Sequence, residues 1–313
     1  MKKRIIGLFL LAASLLCACQ NQTAEPTTGT TTASSTTSVA TTVPTQPTVP
    51  TTTAPLQGFQ TQDGLRYYYI DGQKHTGWLT LEDDRYFFAE DGQMHTGWLE
   101  DGEDKYYFLP DGRMAKGQVV LDEGTFYFAS TGKYVLIVNF RNMVAQDYMP
   151  TLESWRGIKL EPQTMAAVQA MILDGEAMGH KFWLNSAYRS WTNQQSIWDK
   201  RYNQYISEGM TPEAATQKVS QSVARPGTSE HHTGMAVDID GTWESLGWMA
   251  ENSWRYGLIV RYPEGKTDYT GVIYEPWHFR YVGVELAQEL YESGLCMEEY
   301  MENLTLQQGR EFV

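Results

Sequence analysis

One stretch of the chain repeats every 20 residues, and that repeat limits what the stretch can become. Asp71-Gly72 returns as Asp91-Gly92 and Asp111-Gly112, then weakly as Thr131-Gly132. Thr76-Gly77-Trp78 returns as Thr96-Gly97-Trp98 and degenerates to Lys116-Gly117-Gln118. Between them lie Tyr67-Tyr68-Tyr69, Tyr86-Phe87-Phe88, Tyr106-Tyr107-Phe108 and Phe126-Tyr127-Phe128. Aromatic runs bounded by Asp-Gly turns predict β-hairpins. A lone hairpin cannot bury its own apolar face, so such units must stack as a solenoid, here over residues 57–137.

The whole chain has 313 residues, long enough for two modules and a tail. Its 24 Lys+Arg against 38 Asp+Glu give a formal charge of −14, which argues against nucleic acid as a partner because phosphate binding needs a basic surface. Lys2, Lys3 and Arg4 precede the apolar run Ile5 to Leu16, too short to span a bilayer as a helix but suited to a signal peptide over residues 1–18. The run ends in Leu16-Cys17-Ala18-Cys19, which resembles a bacterial lipobox. The resemblance implies that Cys19 is lipidated, and an ordinary secretory cleavage near Ala18 is the alternative. Both export the protein. With Cys17 lost and Cys19 acylated, only Cys296 would remain, so no disulfide framework is expected. Residues 19–56 are rich in Thr, with Pro44, Pro47, Pro50 and Pro55, and read as a disordered spacer with too little apolar surface to offset its ordering entropy.

Residues 138–313 read as one domain mixing helices and strands. Helices are expected over Pro162 to Met178, from Ser190 to about Glu208, from Thr211 onward, over Trp243 to Tyr256 and over Val284 to Ser293. Strands are expected over Lys181 to Tyr188, Ala236 to Asp240, Leu258 to Tyr262 and Trp277 to Val282. Metal-ligand residue types concentrate in Ser229-Glu230-His231-His232-Thr233-Gly234-Met235-Ala236-Val237-Asp238 and in Glu275-Pro276-Trp277-His278. Two imidazoles and a carboxylate suit a catalytic zinc that keeps one open position. His231 and Asp238 can be joined by His278, with Glu275 free to act as base. His232 competes with His231, but the spacing to Gly234 and Asp238 favours His231. Asp240 is expected to be an exposed strand-end carboxylate, His75 and His95 to be solenoid residues, and Trp277 to pack in the core.

The repeats resemble the cell-wall-binding repeats of choline-binding and glucan-binding proteins. That resemblance implies aromatic cages for choline on teichoic acid, or platforms for wall glycan, with Trp78, Trp98, Tyr68 and Tyr107 as candidates. The alternative is that the same rings serve only as the solenoid core, and Gln118 interrupts the Trp series. The C-terminal half resembles the VanY-type D-alanyl-D-alanine carboxypeptidases, which are zinc metallopeptidases. The motif Ser-x-His-x-x-Gly-x-Ala-x-Asp followed by Glu-x-Trp-His carries the likeness. It is reinforced by Ala187-Tyr188-Arg189-Ser190 with Gln194, by Arg225-Pro226-Gly227, by Tyr256-Gly257 and by Arg261-Tyr262-Pro263.

This resemblance implies a multi-domain chain in which β-hairpin solenoid repeats precede an α+β zinc metallopeptidase domain with a small, largely antiparallel sheet. It implies one Zn(2+) per chain on His231, Asp238 and His278, Glu275 as catalytic base and proton donor, and Arg189 on the scissile carbonyl. Gln194 and Ser229 would help position substrate. The expected reaction is removal of the C-terminal D-alanine from peptidoglycan stem peptides at the outer face of the cytoplasmic membrane, with a lipid anchor holding the protein there. The alternatives are an L,D-carboxypeptidase acting on tetrapeptide stems and a non-catalytic wall-binding lipoprotein.

Overall fold

Alternating rings form antiparallel hairpins throughout the repeat region of the computed structural model, which describes residues 54–311. The hairpin turns fall at Asp63-Gly64, Glu82-Asp83, Gly102-Glu103 and Asp122-Glu123, while the recurring Asp91-Gly92 and Asp111-Gly112 fall in the segments that connect one hairpin to the next. The signal peptide at 1–18, Cys19 and nearly all of the 19–56 spacer lie outside the described residues. Strand β1 (Gly58–Gln62) pairs with β2 (Leu65–Ile70), to which the short β3 (Gln73–Lys74) adds. The next hairpins are β4 (Gly77–Leu81) with β5 (Asp84–Phe88), and β6 (Gly97–Asp101) with β7 (Asp104–Phe108). The last is β8 (Gly117–Leu121) with β9 (Gly124–Phe128), extended by β10 (Tyr134–Val135). Register sets the ring partners: Phe59 lies opposite Tyr68, Trp78 opposite Phe87, and Trp98 opposite Tyr107.

The stacking expected of the hairpins is carried partly by backbone. Met94 N donates to Arg66 O at 2.8 Å and Met114 N to Arg85 O at 2.7 Å, each tying a connecting segment to the preceding hairpin. Gly112 has φ +89°, and a Cβ there would stand 2.2 Å from Met94 Sδ. The Asp-Gly repeat therefore reflects both a left-handed turn and a close approach between neighbouring units.

In the C-terminal part, a small hairpin of β11 (Glu153–Trp155) and β12 (Ile158–Leu160) leads into α1 (Pro162–Ala177), capped by the Glu161 side chain. Strand β13 (Phe182–Ser186) is followed by α2 (Trp191–Ser207), capped by Ser190, and α3 (Pro212–Ser220), capped by Thr211. A 3-10 turn at Glu230–Thr233 precedes β14 (Ala236–Gly241) and α4 (Trp243–Asn252). Then come β15 (Leu258–Tyr262), the single-turn α5 (Thr267–Thr270), β16 (Glu275–Tyr281), α6 (Val284–Ser293) and α7 (Met297–Gln307). The sheet order is β13-β14-β16-β15, antiparallel throughout. Val237, Ile239 and Phe279 point to one face, where Met165, Val168, Met171 and Ile172 of α1 and Met249 of α4 complete the main core. Strand alternation sends Asp238 and His278 to the other face.

Three local expectations are revised. The last strand begins at Glu275, not Trp277, so the expected base is itself a strand residue. The helix from Trp243 stops at Asn252, and a 3-10 turn over Ser253–Tyr256 runs to Gly257 (φ +78°). Helix α7 was not expected, because its stripe of Met297, Tyr300, Met301 and Leu304 follows Gly294 in a largely polar stretch.

Helix α7 explains why the Trp series breaks at Gln118. Gln118 N donates to Thr305 Oγ1 at 2.7 Å, Lys116 N to Gln308 Oε1 at 2.9 Å, and Arg310 donates to the carbonyls of Lys116 and Gln118. Tyr127 and Ala129 of the last repeat share a core with Leu286, Leu290, Met301 and Leu304 of α6 and α7. Gly117 (φ +72°) is the tightest point, since a Cβ would lie 2.5 Å from Thr305 N and 2.7 Å from Met301 O. We expect Gly117→Ala to lower the unfolding free energy by roughly 2–4 kcal/mol, from a left-handed backbone plus overpacking. At Gly97 (φ +83°) a Cβ meets nothing within 4 Å. Gly97→Ala should therefore cost only the backbone part, about 1–2 kcal/mol. Denaturant unfolding of the two variants checks the difference.

Candidate metal centre and its cleft

The register of two strands brings the first pair of candidate ligands together: Asp238 of β14 lies directly opposite His278 of β16. The third, His231, arrives from the 3-10 turn. Gly234 ends that turn at φ +72°, and its carbonyl accepts from Glu161 N at 3.0 Å. The segment after β13 holds the turn from the other side, with Arg189 N donating to His231 O at 3.1 Å.

One ligand atom from each of His231, Asp238 and His278 falls within 4.8 Å of the others. His231 Nδ1 sits 2.8 Å from Ala187 O, so that nitrogen carries the hydrogen and Nε2 presents its lone pair. His231 Nε2 is 3.3 Å from Asp238 Oδ2, and His278 Nδ1 is 3.1 Å from Asp238 Oδ1. Yet Asp238 Oδ1 is buried without a hydrogen-bond partner. Acceptor atoms converging in this way, one of them orphaned, fit a borderline cation with nitrogen and oxygen ligands.

Electrostatics agree with that donor set. Burial brings His231 down to about 4 despite Asp238, leaving it neutral at pH 7. Burial also opposes the Asp238 charge, but His231 and His278 outweigh it and hold the carboxyl well below the usual range. For His278, burial is overcome by Asp238 and Glu230, which raise it to about 9. A cation would displace that proton.

Glu275 pairs with Tyr262 across β15 and β16, and its Oε2 stands 3.7 Å from His278 Nδ1. Burial, reinforced by Asp238, pushes it up to about 7, close to the pH at which a general base is most effective. Arg189 reaches in from the start of α2, donating to Asp238 Oδ2 at 2.7 Å and to Ser186 Oγ at 2.7 Å. Gln194 is wholly buried. Its Oε1 lies 3.4 Å from Arg189 Nη1 and its Nε2 donates to Ala224 O at 2.7 Å, so both ends of the amide are engaged by protein. Ser229 lines the cleft beside Glu230 and His231.

The cleft holds about 400 Å3, and Arg189, Ile197, Tyr262, Ile273, Glu275 and Trp277 are among its walls. Trp277 was expected in the core. Trp277 is instead 40% exposed on the cleft wall, at the point where the register between β15 and β16 shifts, so it leaves the face that Phe279 keeps in the core. His232 stacks on Trp191 at 5.7 Å and accepts from Gly227 N at 3.1 Å, a bracing role. Asp240 is exposed, and His75 and His95 bond the carbonyls of Trp78 and Trp98 within the solenoid.

Sequence reasoning gave no role to Glu230, Arg261 or Arg280, all fully buried behind the site. A signal was present, since an arginine inside the apolar strand Leu258–Tyr262 must find a buried anion.

In metal-free protein, Glu275 holds its proton to about 7, against an ordinary value of 4.5. The folded state then binds more protons than the unfolded state between those pH values, so this group lowers stability as pH rises through the window. Relative to the parent, chelator-treated Glu275→Gln should therefore gain in melting temperature between pH 4.5 and 7. A pH-independent difference would contradict the buried, proton-holding carboxyl.

Residues 157–284 match the family described as D-alanyl-D-alanine carboxypeptidase, VanY. Residues 95–136 match a choline-binding repeat and residues 76–94 a cell wall binding repeat. A D-alanyl-D-alanine carboxypeptidase of Enterococcus faecalis is 40% identical over 174 residues, covering 53% of this chain and 65% of that protein. A bifunctional D-Ala-D-Ala dipeptidase and carboxypeptidase of Enterococcus gallinarum is 33% identical over 39% of this chain and 66% of its own length. Among solved structures, a vancomycin-resistance D,D-pentapeptidase VanY in complex with Zn(II) is 39% identical with a TM-score of 0.50, covering 53% of this chain and 97% of that one. VanYB in complex with D-alanine-D-alanine is 38% identical with a TM-score of 0.51, over 53% of this chain and 96% of that one. Through residues 157–284 the chain belongs to the VanY D-alanyl-D-alanine carboxypeptidase family, and it carries cell-wall-binding repeats of the choline-binding type ahead of that domain.

Proposed function

We propose that the chain is a zinc D,D-carboxypeptidase that hydrolyses the terminal D-alanine from peptidoglycan stem peptides. The observation that carries this reading is the convergence of His231, Asp238 and His278 within 4.8 Å beside a raised Glu275, in a VanY-family domain. His231, Asp238 and His278 would hold the zinc. When bound, zinc supplies a Lewis acid that polarises a carbonyl and brings a water pKa toward ~7.

The remaining steps fall to the chain's own side chains. Glu275 takes the proton from the attacking water as its oxygen bonds to the scissile carbonyl carbon. Arg189 donates to the carbonyl oxygen as negative charge develops there. When the C–N bond breaks, Glu275 returns the proton to the departing amine, so D-alanine leaves neutral at nitrogen. Gln194 and Ser186 keep the Arg189 guanidinium in place, and Ser229 and Trp277 offer a polar and an apolar wall to the peptide.

The repeats, in this reading, hold the enzyme against the wall. They do not present equal faces. The Arg85 guanidinium lies 4.2 Å over the Trp78 ring, and Trp78 Nε1 is tied to Asp101 Oδ2 at 3.0 Å. Arg66 covers Phe59, the partner of Tyr68, at 4.6 Å. Lys105, in the place of Arg85, is drawn away by Glu100 at 2.7 Å. Trp98 is left 40% exposed within 5.0–5.9 Å of Phe126, Tyr107 and Tyr134. We therefore assign teichoic acid or wall glycan to the Trp98 face, and membrane tethering to a lipid on Cys19.

Variants, substrate choice and retention on the wall each test the proposal. Glu275→Gln should retain zinc but lose about 10²–10⁴ in D-alanine release from pentapeptide stems, while His231→Ala loses zinc and activity together. Release from tetrapeptide in preference to pentapeptide would turn the reading to L,D specificity, and release from neither would leave a wall-binding protein. Trp98→Ala should weaken retention on isolated walls more than Trp78→Ala, and Cys19→Ala should shift the protein from membrane to medium. Equal retention of the two Trp variants would remove the assignment to Trp98.

A further inference from the structure

Behind the candidate metal centre lies a layer of four charged side chains that the hydrolysis does not use. Arg261 Nε donates to Glu230 Oε1 at 2.8 Å, and its other nitrogens reach both oxygens of Glu298 on α7 at 2.9 and 2.6 Å. Arg280 Nη1 stands 3.4 Å from the same Glu230 oxygen. The side chains of Glu230 and Arg261 are 0% exposed and that of Arg280 1%. The charges cancel, two against two. Buried ion pairs are often no more stabilising than apolar residues of the same size, so stability alone is a poor reason for this layer.

Geometry supplies a better one. After Arg261 and Arg280 engage Glu230 Oε1, its Oε2 is buried with no hydrogen-bond partner. The atom it faces, at 3.8 Å, is His278 Nε2, which is also buried with no hydrogen-bond partner. That separation is too long for a formed hydrogen bond, yet a modest turn of the ring would satisfy both atoms at once. On the far side of the same ring, Nδ1 faces Asp238.

We propose that Glu230 is a positioning residue for the metal: its Oε2 accepts the Nε2–H of His278, which fixes the ring tautomer and leaves the Nδ1 lone pair for the cation. The inference rests on the zinc reading above. Arg261 and Arg280 make a buried carboxylate tolerable at this position, and Glu298 anchors Arg261 from outside. A carboxylate behind a ligating imidazole orients the ring and strengthens it as a ligand.

Zinc affinity of the metal-free protein, measured by competition with a chromophoric chelator, tests this without turnover. The parent should bind zinc, E230Q should bind it roughly 10–100-fold more weakly, and E298Q should stay within about threefold of the parent. Equal affinity of E230Q and parent would overturn the assignment, as would an equal loss in E298Q, which would mean general loosening. A parent that binds no zinc would instead sink the zinc reading itself. Should E230Q fail to fold, nitrogen-15 NMR of histidine-labelled, zinc-loaded parent decides. The inference requires His278 to be protonated at Nε2, and protonation at Nδ1 would contradict it.

Discussion

The pairing of Asp238 with His278 across β14 and β16 is the contact on which the rest of the site depends. Side chains directly opposite on neighbouring antiparallel strands point to the same face with their Cβ atoms close together. A slip of one residue would send both candidate ligands into the apolar core and bring Val237 and Phe279 to the cleft. The core therefore enforces the site. Val237, Ile239 and Phe279 are each 0% exposed, and their packing against α1 and α4 locks the register that the chemistry needs.

Around that pair, the surroundings assign different protonation to similar groups. Asp238 is held ionised by two imidazoles, while Glu275, buried and near that negative charge, is pushed up to about 7. Two carboxyl groups with separated affinities for a proton are what division of labour between ligand and base requires. Glu230 is a third case, kept ionised in full burial by Arg261 and Arg280.

Much of this was legible in the sequence where a local pattern carries the information. The recurring aromatic runs announced the hairpin strands, Ser190 and Thr211 announced the starts of α2 and α3, and the two clusters of candidate ligands announced the centre. What the sequence hid depends on distant partners. The apolar strand around Arg261 signals a buried anion, but which carboxylates answer Arg261 and Arg280 is decided by Glu230 and Glu298, far off in the chain. Trp277 reads as core because it shares the strand parity of Phe279, and the register shift between β15 and β16 that exposes it has no local signal. Gln118 reads as decay of the repeat until α7 is seen seated on β8, a contact between residues 187 apart in the chain. That contact also runs on through α7, whose Glu298 holds Arg261, so one helix touches both the last repeat and the buried layer beneath the candidate metal centre.

The central claim is that three side chains grip one zinc ion. Anomalous diffraction at the zinc edge from crystals of the zinc-loaded protein tests it most directly. The account predicts a single strong peak about 2.0–2.2 Å from a nitrogen of His231, a nitrogen of His278 and a carboxylate oxygen of Asp238. A peak elsewhere in the chain, or none between these residues at full zinc loading, would contradict it.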